Sequence, residues 1–121
     1  MAPERTREQT SRKISETFLE FAEPLWAPLG PAATEEEWEQ ALQIAFTVWN
    51  SLVFDVAQQS QRGVEQLREL ASQEPGVGLL VERLIARKQN LFADDQRLIG
   101  KYGLHRRQGE LRLWAEARQP S

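Results

Sequence analysis

The apolar residues of this chain recur at helical spacing near its N-terminus. Ile14, Phe18, Phe21, Ala22 and Leu25 follow one another at intervals of four, three, one and three residues, which places them on one face of a helix. Pro24 would clash inside a helix, so we expect this helix to end near Glu23. The segment from Pro24 to Ala33 holds three prolines and a glycine. It predicts an irregular lid whose Trp26 packs on the core.

A longer helix is predicted to begin after Thr34. Thr34 and Glu37 form a capping box, and the acidic residues that follow Thr34 suit the positive end of the helix dipole. An apolar seam then repeats every three or four residues: Trp38, Leu42, Ala45, Trp49, Leu52 and Val56. Because other apolar residues cover most of the remaining surface, we expect a buried helix. It is either the central helix of the domain or half of a dimer interface.

Two further helical pieces are predicted after Gln58. A short amphipathic piece runs from Val64 to Ala71, as a separate helix or as a kinked continuation of the long one, and a break follows at residues 72–76. The last helix begins at Leu79 or Leu80, with Leu91 and Phe92 facing inward. Glu82, Arg83 and Lys88 are expected to face outward, and Asp94 and Asp95 to end the helix.

The pattern then changes from helical spacing to alternation. Leu98, Gly100, Tyr102 and Leu104 share one face, Leu111, Leu113, Ala115 and Ala117 share another, and residues 106–109 read as a turn. We therefore predict a two-stranded hairpin over residues 97–117. The expected fold is a single domain over residues 1–121, mainly α with a small β-hairpin. A bundle of about four helices occupies residues 11–92, and residues 1–10 form a flexible arm.

Composition narrows the class of protein. The 121 residues, 40% hydrophobic and 27% charged, suit one globular domain. The chain has no cysteine, no metal-ligand motif and no phosphate-binding motif, so we expect neither a metal nor a cofactor. We find no apolar leader and no stretch of roughly 18 apolar residues, so the expected location is the cytoplasm, away from membranes.

Charge is distributed unevenly along the chain. Residues 34–60 carry five acidic and no basic residues, whereas residues 97–121 carry six basic and two acidic residues, a balance of +4. A nucleic-acid interface in the hairpin would use Lys101, Arg106, Arg107, Arg112 and Trp114. The net charge of −3 and the small number of basic residues disfavour this interpretation.

A polar stripe on the long helix is the other candidate site. Gln43, Thr47, Asn50, Ser51 and Asp55 follow one another at helical spacing, with Phe54 among them. The stripe is either the wet side of the helix or the wall of a pocket or partner surface, where Asn50 and Asp55 would make buried hydrogen bonds. The only histidine is His105, and no nucleophile has a visible base, so we expect no catalytic residues.

Three segments, ISETFLEFAEPLW, ALQIAFTVWN and RKQNLFADDQRLIGKYGL, together resemble a family of short, uncharacterised bacterial proteins. The resemblance spans about Ile14 to Trp114 and implies a bacterial cytoplasmic protein, without assigned site residues.

From the excess of large apolar side chains we predict a non-catalytic interaction module that forms a homo-oligomer, in the simplest case a dimer. Its interface would be the long helix, through Trp38, Leu42, Trp49, Leu52 and Val56, or the hairpin. Nucleic-acid binding by the hairpin, and a small-ligand or enzyme site on the polar stripe, are the alternatives.

Overall fold

Helices occupy the first part of the chain and a β-hairpin the last, in a computed structural model that describes residues 13–30, 33–107 and 110–118. The helices are α1 (Ile14–Phe21), α2 (Glu23–Trp26), α3 (Glu35–Gln58), α4 (Arg62–Ala71) and α5 (Pro75–Leu91). The strands β1 (Leu98–Arg107) and β2 (Glu110–Arg118) pair antiparallel. This order confirms the predicted fold class. The arm expected over residues 1–10 and the turn residues 108 and 109 lie outside the described part of the chain.

The proline-containing segment after α1 is more regular than its composition suggested. Pro24 lies in the first turn of α2, where a helix does not need the missing N–H, and a 3₁₀ turn follows over Ala27–Leu29. The Trp26 indole donates to the Leu19 carbonyl (2.6 Å) and stacks on Trp38 with ring centroids 5.7 Å apart. The expectation of an irregular lid was therefore wrong at residues 24–29, although Trp26 does pack on the core.

Local signals set the two ends of α3. The Thr34 hydroxyl accepts from the Glu37 amide (3.1 Å), and the Glu37 carboxylate accepts from the Thr34 amide (3.2 Å), as the capping box predicts. At the other end Gln59 adopts a left-handed conformation, with φ of 52°. This residue turns the chain, so α4 is a separate helix and not a continuation of α3.

The core forms around α3 as the central helix. The indole of Trp49 is fully buried and meets the rings of Phe21 and Phe92 edge to face, at centroid distances of 5.2 and 6.0 Å. Tyr102 of β1 contacts Phe18 on α1 and Phe46 on α3. Both helices therefore pack under the same face of the hairpin, which we call its inner face.

The end of α5 corrects two predictions. Lys88, expected outside, is 2% exposed, and Leu91, expected inside, is 65% exposed. The chain turns back after Phe92 toward β1, and the Lys88 ammonium donates to the carbonyls of Phe92 and Asp95, at 2.8 Å each. Carbonyls at the C-terminal end of a helix attract a cation, and this explains why a lysine lies at this buried corner.

A bulge changes the pattern of the hairpin. Tyr102 lies opposite Ala115 and Leu104 opposite Leu113, so these four residues share the inner face. The register shifts between Ile99 and Lys101. Because the extra residue interrupts the strict alternation, Leu98 and Ile99 are both buried, at 6% and 2% exposure.

Candidate functional site

The apolar seam of the long helix belongs to the core of this chain. Leu42 and Trp49 are fully buried and Leu52 is 5% exposed, whereas Trp38 is half-buried under Trp26. Of the predicted interface residues only Val56, at 61% exposure, lies on the surface. The prediction that this seam contacts a partner is therefore wrong for its buried members, because they could not reach another chain without unfolding their own. The structure supports the other interpretation, a central helix.

Asn50 joins α3 to the first strand. Its side-chain nitrogen donates to the Ile99 carbonyl (2.9 Å), and its side-chain oxygen accepts from the Ile99 amide (2.8 Å). One residue earlier, the Trp49 indole donates to the Arg97 carbonyl (2.7 Å). An amide side chain that pairs with both backbone groups of one residue takes the place of a neighbouring strand. The hydrogen bonds of Asn50 are partly buried, and they are made to the hairpin of the same chain and not to a pocket ligand or a second protein.

Asp55 caps the helix that follows α3. Its two carboxylate oxygens accept from the amides of Gly63 (2.9 Å) and Val64 (3.0 Å), in the first turn of α4. A carboxylate at this position satisfies unpaired amides and meets the positive end of the helix dipole. A Cβ on Gly63 would lie 2.8 Å from the Asp55 carboxylate and from the Ser51 carbonyl. The glycine therefore allows the close approach that capping requires.

The polar stripe divides into two parts in the folded chain. Gln43 and Thr47 are exposed beside a groove of about 460 Å³ between α3, α4 and α5, and the groove is lined chiefly by apolar residues such as Ile44 and Val77. Asn50 and Asp55 instead hold β1 and α4 in place. Their hydrogen bonds are made within the chain, which weakens the case for a ligand or an enzyme site on this stripe.

A second cavity, of about 390 Å³, lies beside the end of α3 and includes Asp55, Lys88 and Gln96 in its wall. Burial lowers the pKa of Lys88 to about 8, against the opposing effect of Asp95 and Asp94. Besides its two carbonyl acceptors, the ammonium lies 4.6 Å from the centroid of the Trp49 ring, at cation–π distance. The Lys88 ammonium is therefore already bound by two backbone carbonyls and the Trp49 ring. It stabilises this corner of the fold and is a poor candidate for binding a ligand. One feature of the sequence indicates this role, a lysine in the last turn of a helix.

Three of the predicted nucleic-acid residues, Lys101, Arg112 and Trp114, lie exposed on the hairpin. Trp114 is 43% exposed, and its position opposite Gly103 places the indole over that glycine, where an added Cβ would lie 2.6 Å from the ring nitrogen. Lys101 and Arg112 are exposed on the same hairpin. Arg106 and Arg107 belong to β1, and their side chains lie outside the described structure. Glu116 lies opposite Lys101, which reduces the positive charge of the hairpin.

Comparisons with known proteins give no match from which a function could be inferred. The chain matches no protein-family model, no curated protein and no solved structure. The resemblance to short bacterial proteins therefore stays a prediction. Within residues 13–30, 33–107 and 110–118, no three His, Cys, Asp or Glu residues gather as metal ligands would. In the same ranges, no helix is both long enough and apolar enough to cross a membrane.

Proposed function

We propose that this protein is a non-catalytic interaction module that forms a homodimer through the edge of its C-terminal hairpin. The observation that carries the proposal is the unpaired edge of β2. It has nine residues, contains no proline, and pairs with β1 on one side only among the described residues. A strand edge of this length presents a row of backbone donors and acceptors, and an unprotected row is a template for a further strand.

The burial of the long helix supports the same surface. The large apolar residues that suggested an interface on α3 are mostly packed against the other elements of the chain. Of the two candidate interfaces named from the sequence, the hairpin is the one with a strand that pairs on one side only among the described residues. We propose the cytoplasm as its compartment, since a chain without cysteine is compatible with a reducing environment.

The edge of β2 is a better candidate than the edge of β1. Asn50 already pairs with the backbone of Ile99, and the β1 register shifts between Ile99 and Lys101. Bulges and occupied backbone groups protect a strand edge from further pairing. In β2 the paired residues follow one another without an extra residue from Glu110 to Arg118. We call the side of β2 that faces away from β1 its far edge.

The substitution Ala115→Pro tests the proposal. Both backbone groups of Ile99 bond to Asn50, so the backbone of the opposite residue Ala117 points to the far edge, and by alternation so does the amide of Ala115. Proline at position 115 therefore removes a donor for a partner strand and leaves the β1–β2 bonds intact. We expect the wild-type chain to be a dimer and A115P to be a monomer with an unchanged circular dichroism spectrum. Ala115→Val keeps the amide and is the matched control, expected to dimerise. A wild-type monomer, or an A115P dimer as stable as the wild type, would overturn the proposal.

Binding of single-stranded nucleic acid is a second candidate function. One observation favours it: the exposed Trp114 lies on the same hairpin as the exposed basic residues Lys101 and Arg112. Bases stack on such rings while basic residues contact phosphates. Salt-sensitive binding of a labelled single-stranded oligonucleotide, lost in W114A, would support it. Absence of binding at low salt would exclude it.

A further inference from the structure

The sequence of β2 is complementary to itself. It reads ELRLWAEAR from Glu110 to Arg118, with Trp114 at its centre. Residues at equal distances from Trp114 have opposite charge or are both apolar. The charged pairs are Arg112 with Glu116 and Glu110 with Arg118, and the apolar pairs are Leu113 with Ala115 and Leu111 with Ala117. An antiparallel pair of identical strands places these residues opposite each other when its two-fold axis passes through Trp114.

We infer that two copies of β2 pair antiparallel about a two-fold axis at Trp114, which joins the two hairpins into one four-stranded sheet. This inference rests on the proposed function and specifies its partner and register. In this arrangement Arg112 of each chain faces Glu116 of the second copy. Opposite charges directly across two strands stabilise the pair, and like charges destabilise it.

The backbone of the hairpin permits this register. Both backbone groups of Ile99 bond to Asn50, so they point away from β2, and the opposite residue Ala117 points its own groups away from β1. Because backbone direction alternates along a strand, the backbone N–H and C=O groups of Ala115 and Leu113 also point to the far edge. In the inferred register Leu113 faces Ala115 of the second copy. Outward-pointing groups therefore meet outward-pointing groups, as hydrogen bonding requires.

Neighbouring registers are less favourable. A shift of one residue would bring outward-pointing groups opposite inward-pointing ones. The shifts that keep the backbone bonds would centre the pair on Leu113 or Ala115. The first places Glu110 opposite Glu116, and the second places Arg112 opposite Arg118. Each of these registers puts like charges across the strands, so the charge pattern selects Trp114 as the centre.

The side chains are also placed for this contact. Arg112, Trp114 and Glu116 are exposed on the outer face, and the indole of each chain lies over its own Gly103, on the side away from the axis. The central residue makes a non-hydrogen-bonded pair with its copy, which is the closer of the two antiparallel geometries. On the inner face Leu113 and Ala115 are half-buried against the core. A leucine opposite an alanine of the second copy continues this apolar face from one chain to the other.

Charge reversal provides the decisive experiment. R112E alone places carboxylates opposite one another, and E116R alone places guanidinium groups opposite one another. We expect each variant to dimerise at least about tenfold more weakly than the wild type. In a mixture of the two variants, both charge pairs are complementary again, so native mass spectrometry should detect the heterodimer in preference to either homodimer. R83E, a charge reversal on the exposed face of α5, should dimerise normally.

Cross-linking gives a second measurement that does not depend on charge. The chain has no cysteine, so W114C introduces a unique thiol. Directly opposed non-hydrogen-bonded residues lie about 4.5 Å apart at Cα, within reach of a disulfide. We expect W114C to form a disulfide-linked dimer, and A117C, which would face Leu111 of the second copy, not to do so.

The outcomes separate the two proposals. If A115P is monomeric but R112E and E116R dimerise like the wild type, or their mixture gives no heterodimer, the register is wrong and the edge interface stands. Cross-linking of A117C in place of W114C would likewise overturn the register. If A115P dimerises like the wild type, the proposed edge interface is wrong, and the register that rests on it is wrong as well.

Discussion

The side-chain amide of Asn50 should contribute strongly to stability, although it lies on a helix and its partner lies on a strand. N50A removes both hydrogen bonds to Ile99, each contributing about 0.5–1.5 kcal/mol, and leaves an amide and a carbonyl of a buried residue without this partner. We expect the free energy of unfolding to fall by about 2–4 kcal/mol. For a domain of this size, the melting temperature should fall by roughly 6–15 °C.

Thermal unfolding followed by circular dichroism measures this loss, with Q43A as the matched control. Gln43 is an exposed residue of the same helix, so Q43A should melt close to the wild type. Hydrogen exchange adds a local measurement, because the Ile99 amide should exchange faster in N50A than in the wild type. A melting temperature of N50A within about 2 °C of that of the wild type would refute the assignment of Asn50 as the clamp between α3 and β1.

Three further predictions follow from single contacts. D55A should lower the free energy of unfolding by about 1–2 kcal/mol, because the first turn of α4 loses its cap. Urea unfolding measures this loss, and an unchanged midpoint would exclude Asp55 as the cap of α4. Burial holds the pKa of Lys88 near 8 when folded, against 10.5. The unfolded chain therefore binds more protons between these values, so stability should rise with pH there by about 1–3 kcal/mol, and K88M should lack the rise. G103A should displace the Trp114 indole and shift its fluorescence to longer wavelength; an identical spectrum would contradict their contact.

Features that depend on neighbours in sequence were predictable. The capping box at Thr34 and Glu37 needs only two residues three positions apart, and it sets the start of α3. The hairpin follows from alternation, because a half-buried strand shows one face to the core. The seam of α3 was correctly recognised as apolar. Its spacing alone could not decide between a core and an interface, since both bury the same side of a helix.

Features that depend on distant contacts were not predictable. The partner of Asn50 is Ile99, 49 residues away, and nothing near Asn50 identifies it. Lys88 was expected outside because lysine is usually exposed, but the return of the chain toward β1 covers it. The self-complementary charges of β2 are visible in the amino-acid sequence. Their meaning depends on backbone directions that only the bonds of Ile99 reveal.

The mass of the full chain in solution tests the central claim most directly. Native mass spectrometry of the wild type and of A115P at the same concentration should give twice 13.9 kDa for the wild type and 13.9 kDa for the variant. This result would support a homodimer formed at the far edge of β2. Equal masses for the two proteins, whether monomeric or dimeric, would contradict it.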